Sequence, residues 1–547
     1  MSTQKKLMTN WRWWLCSLLF VATTVNYLDR QVLSLTYEEF IKPEFHWTDS
    51  DYGTITSLFS IFYAIACLFA GKFVDWMGTK KGYLWAIFIW SLGACLHAAC
   101  GVGTGWLKAA GFVSMMGITV SVWLFLACRA VLALGEAGNF PAAIKVTAEY
   151  FPKKDRAFST SIFNSGSSVG ALAAPLTIPV IAKFCGWEMA FIIIGALGFV
   201  WMGFWLWLYR KPSENPRVNA EELAYINQDD VQPLKADEEV PAFQPRISYL
   251  KAFSLRQTWS LVLGRFLTDG VWWFFLFWTP GYLSDQFGYK SSDGMGQALI
   301  FALYAIVTFV SIYLCKLPTY MVDKKGMNPY EGRMVAMFIF ACFPLLAIGA
   351  QPLGIGVSVW FTAVLIGFAC AGHQAWSANI YSVVGDMFPK SCIGTLTGIA
   401  QCAAGLGSFA VNKSAGWLFT KAAGSFSYGD KVFELSRDKI ATAFLPAGVT
   451  PAAGSNAEGI MKAITDAGMQ VPDVISSTAT KVGLTPSEMI TAVQNAGGTI
   501  VSQPWCAMGY EGKASAYMMV FCYCAVAYLI GWFCMKSLVP RYKKVEL

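Results

Sequence analysis

Charge is scarce in this chain: only 14% of its 547 residues are Asp, Glu, Lys or Arg, against 55% hydrophobic and 15% aromatic. A soluble domain averages about 25% charged residues, so a soluble globular fold is excluded and a membrane protein is implied. Histidine is rarer still, at three residues. The fifteen cysteines sit mostly inside apolar runs (Cys16, Cys67, Cys128, Cys370, Cys522, Cys524) without metal-ligand spacing. They read as small core residues, with Cys506 the expected exposed thiol, and no metal site is assigned. No Cys–His or Ser–His catalytic spacing stands out, so no catalytic residue or cofactor is assigned and an enzyme is not expected. The net charge of +7 does not mark a nucleic-acid binder, because Lys and Arg lie in short loops beside apolar runs. No small-residue cleavage site follows Lys5, Lys6 and Arg12, so the first apolar run reads as a retained helix.

Long apolar runs are what the chain does have. Twelve spans are predicted, at about 13–36, 50–71, 83–102, 118–141, 157–183, 187–208, 259–283, 295–316, 333–350, 355–383, 391–419 and 515–538. Lys72, Lys80, Lys81, Lys153, Lys154, Arg156, Lys324, Lys325, Lys390, Arg541, Lys543 and Lys544 fall on one side. The other side has the acid-rich loop from Glu38 to Asp51 and few cations. The positive-inside rule makes the first side cytoplasmic, with both termini there. Residues 209–258, charged and proline-bearing, form a cytoplasmic linker with a short helix expected around Ala220–Asn227. The predicted organisation is a six-helix bundle (1–208), the linker (209–258), helices 7–11 (259–420), an extracytoplasmic insert (421–514), and helix 12 with its tail (515–547). The insert is rich in Ala, Gly, Thr and Ser and shows two short helical patterns. One opens with a capping box at Thr485 and Glu488, with Pro486 between them. The insert is expected to be a solvated cap with no direct role.

The halves repeat. GEAGNFPAAIKVTAEYFP (135–152) aligns without gaps onto GHQAWSANIYSVVGDMFP (372–389), and the same offset of 237 places Asn164 on Gln401 and Gly170 on Gly407. A parallel six-span repeat implies a rocking carrier whose site lies between the halves. The fourth run carries Arg129 and Glu136, and a charge at bilayer depth costs about 2.5–3.5 kcal/mol, so such residues normally face a polar interior. Seven residues apart, they share one helical face at a separation of roughly 10 Å. A cation and a titratable acid on one stripe suit anion binding with proton passage; interhelical structural charges are the other reading.

The segment GKFVDWMGTKKG (71–82) resembles the loop signature of the major facilitator superfamily, and RAVLALGEAGNFPA (129–142) resembles the fourth-span signature of its anion:cation symporter branch. Within that branch GTKKGY (78–83), EYFPKKDRAFSTSIFNSGSSVGA (149–171), WEMAFIIIGAL (187–197), RFLTDGVWWFFLFW (265–278) and GHQAW (372–376) are similar to hexuronate transporters. The resemblance covers all twelve spans but not the insert. It implies an all-α fold of two pseudo-symmetric six-helix bundles in a cell membrane, with a bacterial inner membrane expected. It also implies a monomer that imports a small organic anion, a hexuronate such as galacturonate or glucuronate, with protons. Aldonate, tartrate or sialate carriers, an anion exchanger, and a sugar-acid sensor are the alternatives.

Roles follow residue by residue. Glu136 is the main expected proton carrier, with Asp29 second. Resemblance to aldonate and vesicular anion symporters puts the substrate carboxylate on Arg30 and has Asp29 titrate; Arg129 is expected to alternate between Glu136 and the substrate. Adjacent helical residues point 100° apart, so Asp29 and Arg30 cannot face the same way. Tyr27 and Tyr63 are expected cavity aromatics by family position. His373, at the repeat position of Glu136, is expected with Gln374 to meet sugar hydroxyls, and Trp376 to stack on the ring. Asn164 and Gln401 are assigned to further hydroxyls, with interhelical hydrogen bonding as the competing role. Asp75, Gly78, Lys80 and Lys81 form an expected inner gate. Arg265 and Asp269, one turn apart, read as a gating salt bridge, and Trp272, Trp273 and Trp278 as cavity or interface-belt residues.

Overall fold

The computed structural model describes all residues except 1–7, 116, 230–247, 389–392, 452–455, 482–483, 543–544 and 546–547. Helices 1 to 6 are Trp11–Thr36, Asp49–Met77, Thr79–Ala109, Val120–Tyr150, Lys153–Cys185 and Trp187–Leu208. Helices 7 to 12 are Arg256–Phe287, Gly294–Leu314, Pro329–Gly356, Val359–Met387, Ile393–Ala423 and Lys513–Leu538. Among the described residues ten of these are long and apolar enough to cross a membrane, and helices 1 and 11 fall outside that set. Helix 1 gives up apolar length to Asn26, Asp29, Arg30 and Gln31, and helix 11 to Gln401, Asn412 and Lys413.

Helix 4 is not one continuous rod. It runs from Val120 to Glu136, turns at Ala137 and Gly138, and resumes at Asn139. Gly135 sits at this break because helix 3 passes against it: a Cβ there would lie 2.2 Å from the Trp90 nitrogen. Gly372, its repeat partner, meets helix 9 in the same way, with a Cβ 2.6 Å from that of Phe343. Gly170 packs on the Thr24 carbonyl of helix 1, and Gly407 on the Phe266 carbonyl of helix 7. The repeat is therefore a repeat of close helix crossings.

Between helices 11 and 12 the insert is more folded than its composition suggests. A three-stranded antiparallel sheet places Ser425–Tyr428 between Lys431–Glu434 and Thr499–Ser502. Four short helices follow the sheet's first hairpin, Arg437–Ala443, Ala457–Asp466, Asp473–Thr480 and Pro486–Asn495, the last opened by the Thr485–Glu488 capping box. Two apolar clusters hold it, one around Ile460, Ile464 and Ile475, the other around Phe426, Leu435, Ile440 and Val493.

At the insert face the two halves close on each other. Gly53 of helix 2 and Gly416 of helix 11 meet backbone to backbone, and a Cβ on Gly53 would lie 2.9 Å from the Gly416 Cα. Deeper along the same pair of helices, the Ser60 and Ser408 hydroxyls are 2.7 Å apart. Tyr52 donates to the Phe277 carbonyl at 2.8 Å, and Ser291 to that of Leu35 at 2.6 Å. On the opposite face the linker helix Ala220–Ile226 docks under helix 1, where buried Glu222 accepts from the Trp11 and Arg12 backbone amides at 3.0 and 3.1 Å. A carboxylate at a helix N-terminus is favourably placed against the helix dipole.

Candidate functional site

Arg30 is the centre of the arrangement. Its Nε lies 2.7 Å from Glu136 Oε2, and both side chains are buried. Three rings surround the guanidinium, with Tyr27, Tyr63 and Trp273 centroids 5.1, 4.6 and 4.9 Å from its Cζ. Trp273 comes from helix 7, so the cage spans both halves. Each desolvated cation–π contact contributes up to about 2 kcal/mol. Trp272, Trp273 and Trp278 are all buried, which removes them from an interface belt, and Trp278 donates to Asn412 Oδ1 at 2.9 Å.

The expected pairing of Arg129 with Glu136 is not the one the fold makes, since Glu136 spends its ion pair on Arg30. Arg129, from the preceding turns of helix 4, is buried with its guanidinium 5.1 Å from the Phe59 ring. Its Nε and Nη1 have no hydrogen-bond partner. Asp29 points away from Arg30 into the N-terminal bundle, where Glu136, Arg129 and Cys95 are its electrostatic neighbours. Both Asp29 oxygens and both Asn26 amide atoms are buried without hydrogen bonds. Asn26 carries no role in the motif reading; its place one turn before Arg30 was the available signal.

The C-terminal half contributes a second charge cluster. Arg265 Nε is 2.9 Å from Asp269 Oδ2, and its Nη1 and Nη2 donate to Ser377 Oγ and Gln401 Oε1, both at 2.9 Å. Gln401 is thus engaged by Arg265. His373 stacks on Trp272 at 5.1 Å, and its Nδ1 is 2.6 Å from the Tyr528 hydroxyl. Trp376 is fully buried against Tyr528 at 5.6 Å, within the packing of helices 10 and 12. Gln374 is half-buried and Asn164 exposed. Tyr27 stands between the clusters, with Arg30 and Glu136 among its electrostatic neighbours on one side and Arg265 and Asp269 on the other.

Of the expected inner gate, the side chain of Asp75 lies outside the described residues. Gly78 separates helices 2 and 3 at a φ of 78°, which its missing Cβ permits. Lys80 donates to the Leu206 carbonyl at 3.1 Å, and Lys81 is exposed. A charge network not anticipated from the sequence sits at the insert face. Lys513 Nζ lies 2.6 Å from Asp49, 3.3 Å from Glu434 of the insert and 3.5 Å from Asp285. Lys42 Nζ reaches Glu38 at 2.5 Å and Asp49 at 2.9 Å. The insert, expected as a solvated cap with no direct role, therefore contributes a carboxylate to the network joining the halves.

The sequence is 27% identical over 398 residues to the hexuronate transporter of Escherichia coli (strain K12), covering 73% of this chain and 85% of that protein. It is 27% identical over 369 residues to the galacturonate transporter of Dickeya chrysanthemi, covering 66% and 95%. A probable galactarate/D-glucarate transporter of E. coli (strain K12) is 28% identical over 402 residues, covering 72% and 85%. Among solved structures, a bacterial homologue of the human lysosomal transporter Spinster, inward-facing and unoccupied, superposes with a TM-score of 0.60 at 16% identity, covering 96% of this chain and 98% of that one. The xylose transporter XylE of E. coli, partially occluded and inward open, superposes with a TM-score of 0.53 at 16% identity, covering 74% and 91%. The family model described as Major Facilitator Superfamily matches residues 19–411. The twelve helices, the paired crossings and the match over most of the chain make this protein a member of the major facilitator superfamily, a family of multi-pass membrane transporters and not of enzymes.

Proposed function

We propose that this protein imports a sugar acid together with protons by alternating access, and that the substrate is a hexuronate such as galacturonate or glucuronate. The carrying observation is the Arg30–Glu136 ion pair, buried beneath three aromatic rings drawn from both halves. A guanidinium offers a carboxylate two parallel hydrogen bonds, and the surrounding rings suit the apolar faces of a sugar. A substrate carboxylate on Arg30 displaces Glu136, which in a low-dielectric interior then favours its protonated form. Anion and proton thereby move as a neutral pair. Arg129, with unpartnered donors behind the site, supplies the positive field that keeps Glu136 able to release that proton.

The relatives that carry hexuronate and galacturonate transporter names support this substrate class. The galactarate/D-glucarate relative favours a second reading, a sugar diacid. In either case the basic loops and termini face the cytoplasm, so the insert lies outside. The structure is closed on the insert face, the side from which substrate would enter in the other half of the cycle.

The test is uptake of labelled galacturonate, glucuronate and galactarate into proteoliposomes under an imposed inward proton gradient. Wild type is expected to accumulate a hexuronate. Glu136→Gln is expected to keep counterflow and lose gradient-driven accumulation. Uptake that ignores the gradient but follows an internal anion would instead make the protein an exchanger.

A further inference from the structure

The hydrogen-bond network around His373 has a consequence for protons. Tyr528 has one hydroxyl hydrogen, and it is directed to the Thr268 carbonyl at 3.0 Å. At 2.6 Å the same oxygen must then accept from His373, which places a proton on Nδ1. A neutral His373 with Nδ1 protonated presents the bare lone pair of Nε2. What that lone pair faces is another acceptor, Asp269 Oδ1, at 3.9 Å. The two acceptors stand just beyond hydrogen-bond distance, and one added proton on either of them turns the contact into a hydrogen bond or an ion pair.

We propose that His373 and Asp269 together form a second proton site of the carrier, in its C-terminal half, whose occupancy Arg265 controls. This rests on the reading of the protein as a proton-coupled sugar-acid carrier. Arg265 is the counter-ion that holds Asp269 as a carboxylate, at 2.9 Å. It also donates to the neutral Ser377 and Gln401. A substrate carboxylate arriving at Arg265 competes for that cation. Asp269 then loses the charge that favoured its ionised form, and the His373–Asp269 pair takes up a proton. One anion and one proton arrive together, as at Arg30 and Glu136.

The groups facing the pair leave Arg265 as the decisive one. From helix 7 come Arg265 and the Trp272 ring stacked on His373. Helix 12 supplies Tyr528, with Cys524 and Tyr523 beyond it; helix 10 supplies Cys370, and helix 8 Tyr304 behind that. Tyr27 approaches from helix 1. Among the described residues Arg265 is the formal cation of this set. Position along the path supports a relay: Asp269 and Arg265 lie four and eight residues before Trp273, which caps Arg30. At 1.5 Å per residue these are steps of about 6 and 12 Å toward the face that bears the termini.

The experiment measures protons taken up per labelled galacturonate accumulated, in proteoliposomes carrying a pH-sensitive dye, with galacturonate counterflow as the control for folding. Asp269→Asn and His373→Gln are each expected to move fewer protons per sugar acid than wild type, the ratio being read at whatever rate of counterflow each variant retains. The double variant is expected to move no fewer than either single one, because the two residues share one site. An unchanged ratio in both single variants overturns the proposal. So does loss of counterflow in both that Asp269→Glu fails to rescue, since that marks a structural pair. A wild type that moves sugar acid without protons would remove the coupling reading first, and this site with it.

Discussion

At the scale of single residues, the site is built on guanidinium groups that each have more than one possible partner. Arg30 holds Glu136 while three rings cover its faces, and Arg265 holds Asp269 while also donating to the Ser377 and Gln401 oxygens. The rings do not neutralise Arg30, so its charge stays available to an incoming carboxylate. Trp273→Ala should therefore weaken galacturonate binding by about 0.5–2 kcal/mol, roughly two- to thirtyfold, read as the half-saturation of counterflow. Trp273→Phe should restore most of it, because a smaller ring still offers its face. The sequence motif named Arg30, Glu136, Tyr27 and Tyr63 as members of one site. It could not say that Glu136 pairs with Arg30 across helices in preference to Arg129 seven residues earlier on its own helix. Periodicity reports the face a residue occupies on its own helix, whereas the choice of partner depends on which helix packs against that face.

Among the elements, helices 2 and 11 do most to set the closed state. Their contact at Gly53 and Gly416 leaves no room for a side chain, since a Cβ on Gly416 would sit 2.6 Å from the Asp49 carbonyl. Overpacking a well-packed contact costs about 1–3 kcal/mol, enough to shift a balanced two-state carrier. Gly416→Val should accordingly hold the insert face open without unfolding either bundle. The check is modification of a cysteine placed at Ser60, which lies 2.7 Å from Ser408 in the closed state. Labelling from the insert side should speed up in the Gly416→Val background, and an unchanged rate would show that this contact does not decide closure. Helix 4 makes a similar point about local form. Its sequence reads as one long apolar run, but Gly135 and Gly138 crowd against helix 3 and the rod turns between Glu136 and Asn139. A helical pattern carries no information about a neighbour's backbone, so the break was not visible in it.

For the molecule as a whole, the network at the insert face ties the N-terminal half, the C-terminal half and the insert through two lysines. Four carboxylates, Glu38, Asp49, Asp285 and Glu434, share Lys42 and Lys513. Glu38 lies past the end of helix 1 in the π-helical segment Tyr37–Ile41, and burial pushes its carboxyl up to about 8. Lys42 opposes this but is divided with Asp49, while Asp285 and Asp49 add repulsion and Lys513 relieves part of it. An acid whose value is raised in the closed state binds its proton more tightly there than in an open, solvated one. Its contribution to closure is thus complete below the ordinary carboxylate range and is lost as pH rises through about 8. Spin labels at Lys108→Cys on the first half and Asp430→Cys on the insert should report a closed distance at pH 5 and a growing open population toward pH 9. Glu38→Gln should flatten that dependence, and a pH response that survives it would exclude Glu38 as its source. The sequence by itself determined that the chain is a twelve-helix membrane carrier with an internal repeat and charges in its first and fourth spans. Apolar length, loop charge and glycine spacing are local quantities, readable in one dimension. Only the tertiary structure decided that Arg30 takes Glu136, that Asp29 turns away, that His373 faces Asp269, and that the insert reaches the charge network between the halves. Each of these depends on residues from different helices meeting in a low-dielectric interior, where a charge is fixed by the partner that packing supplies.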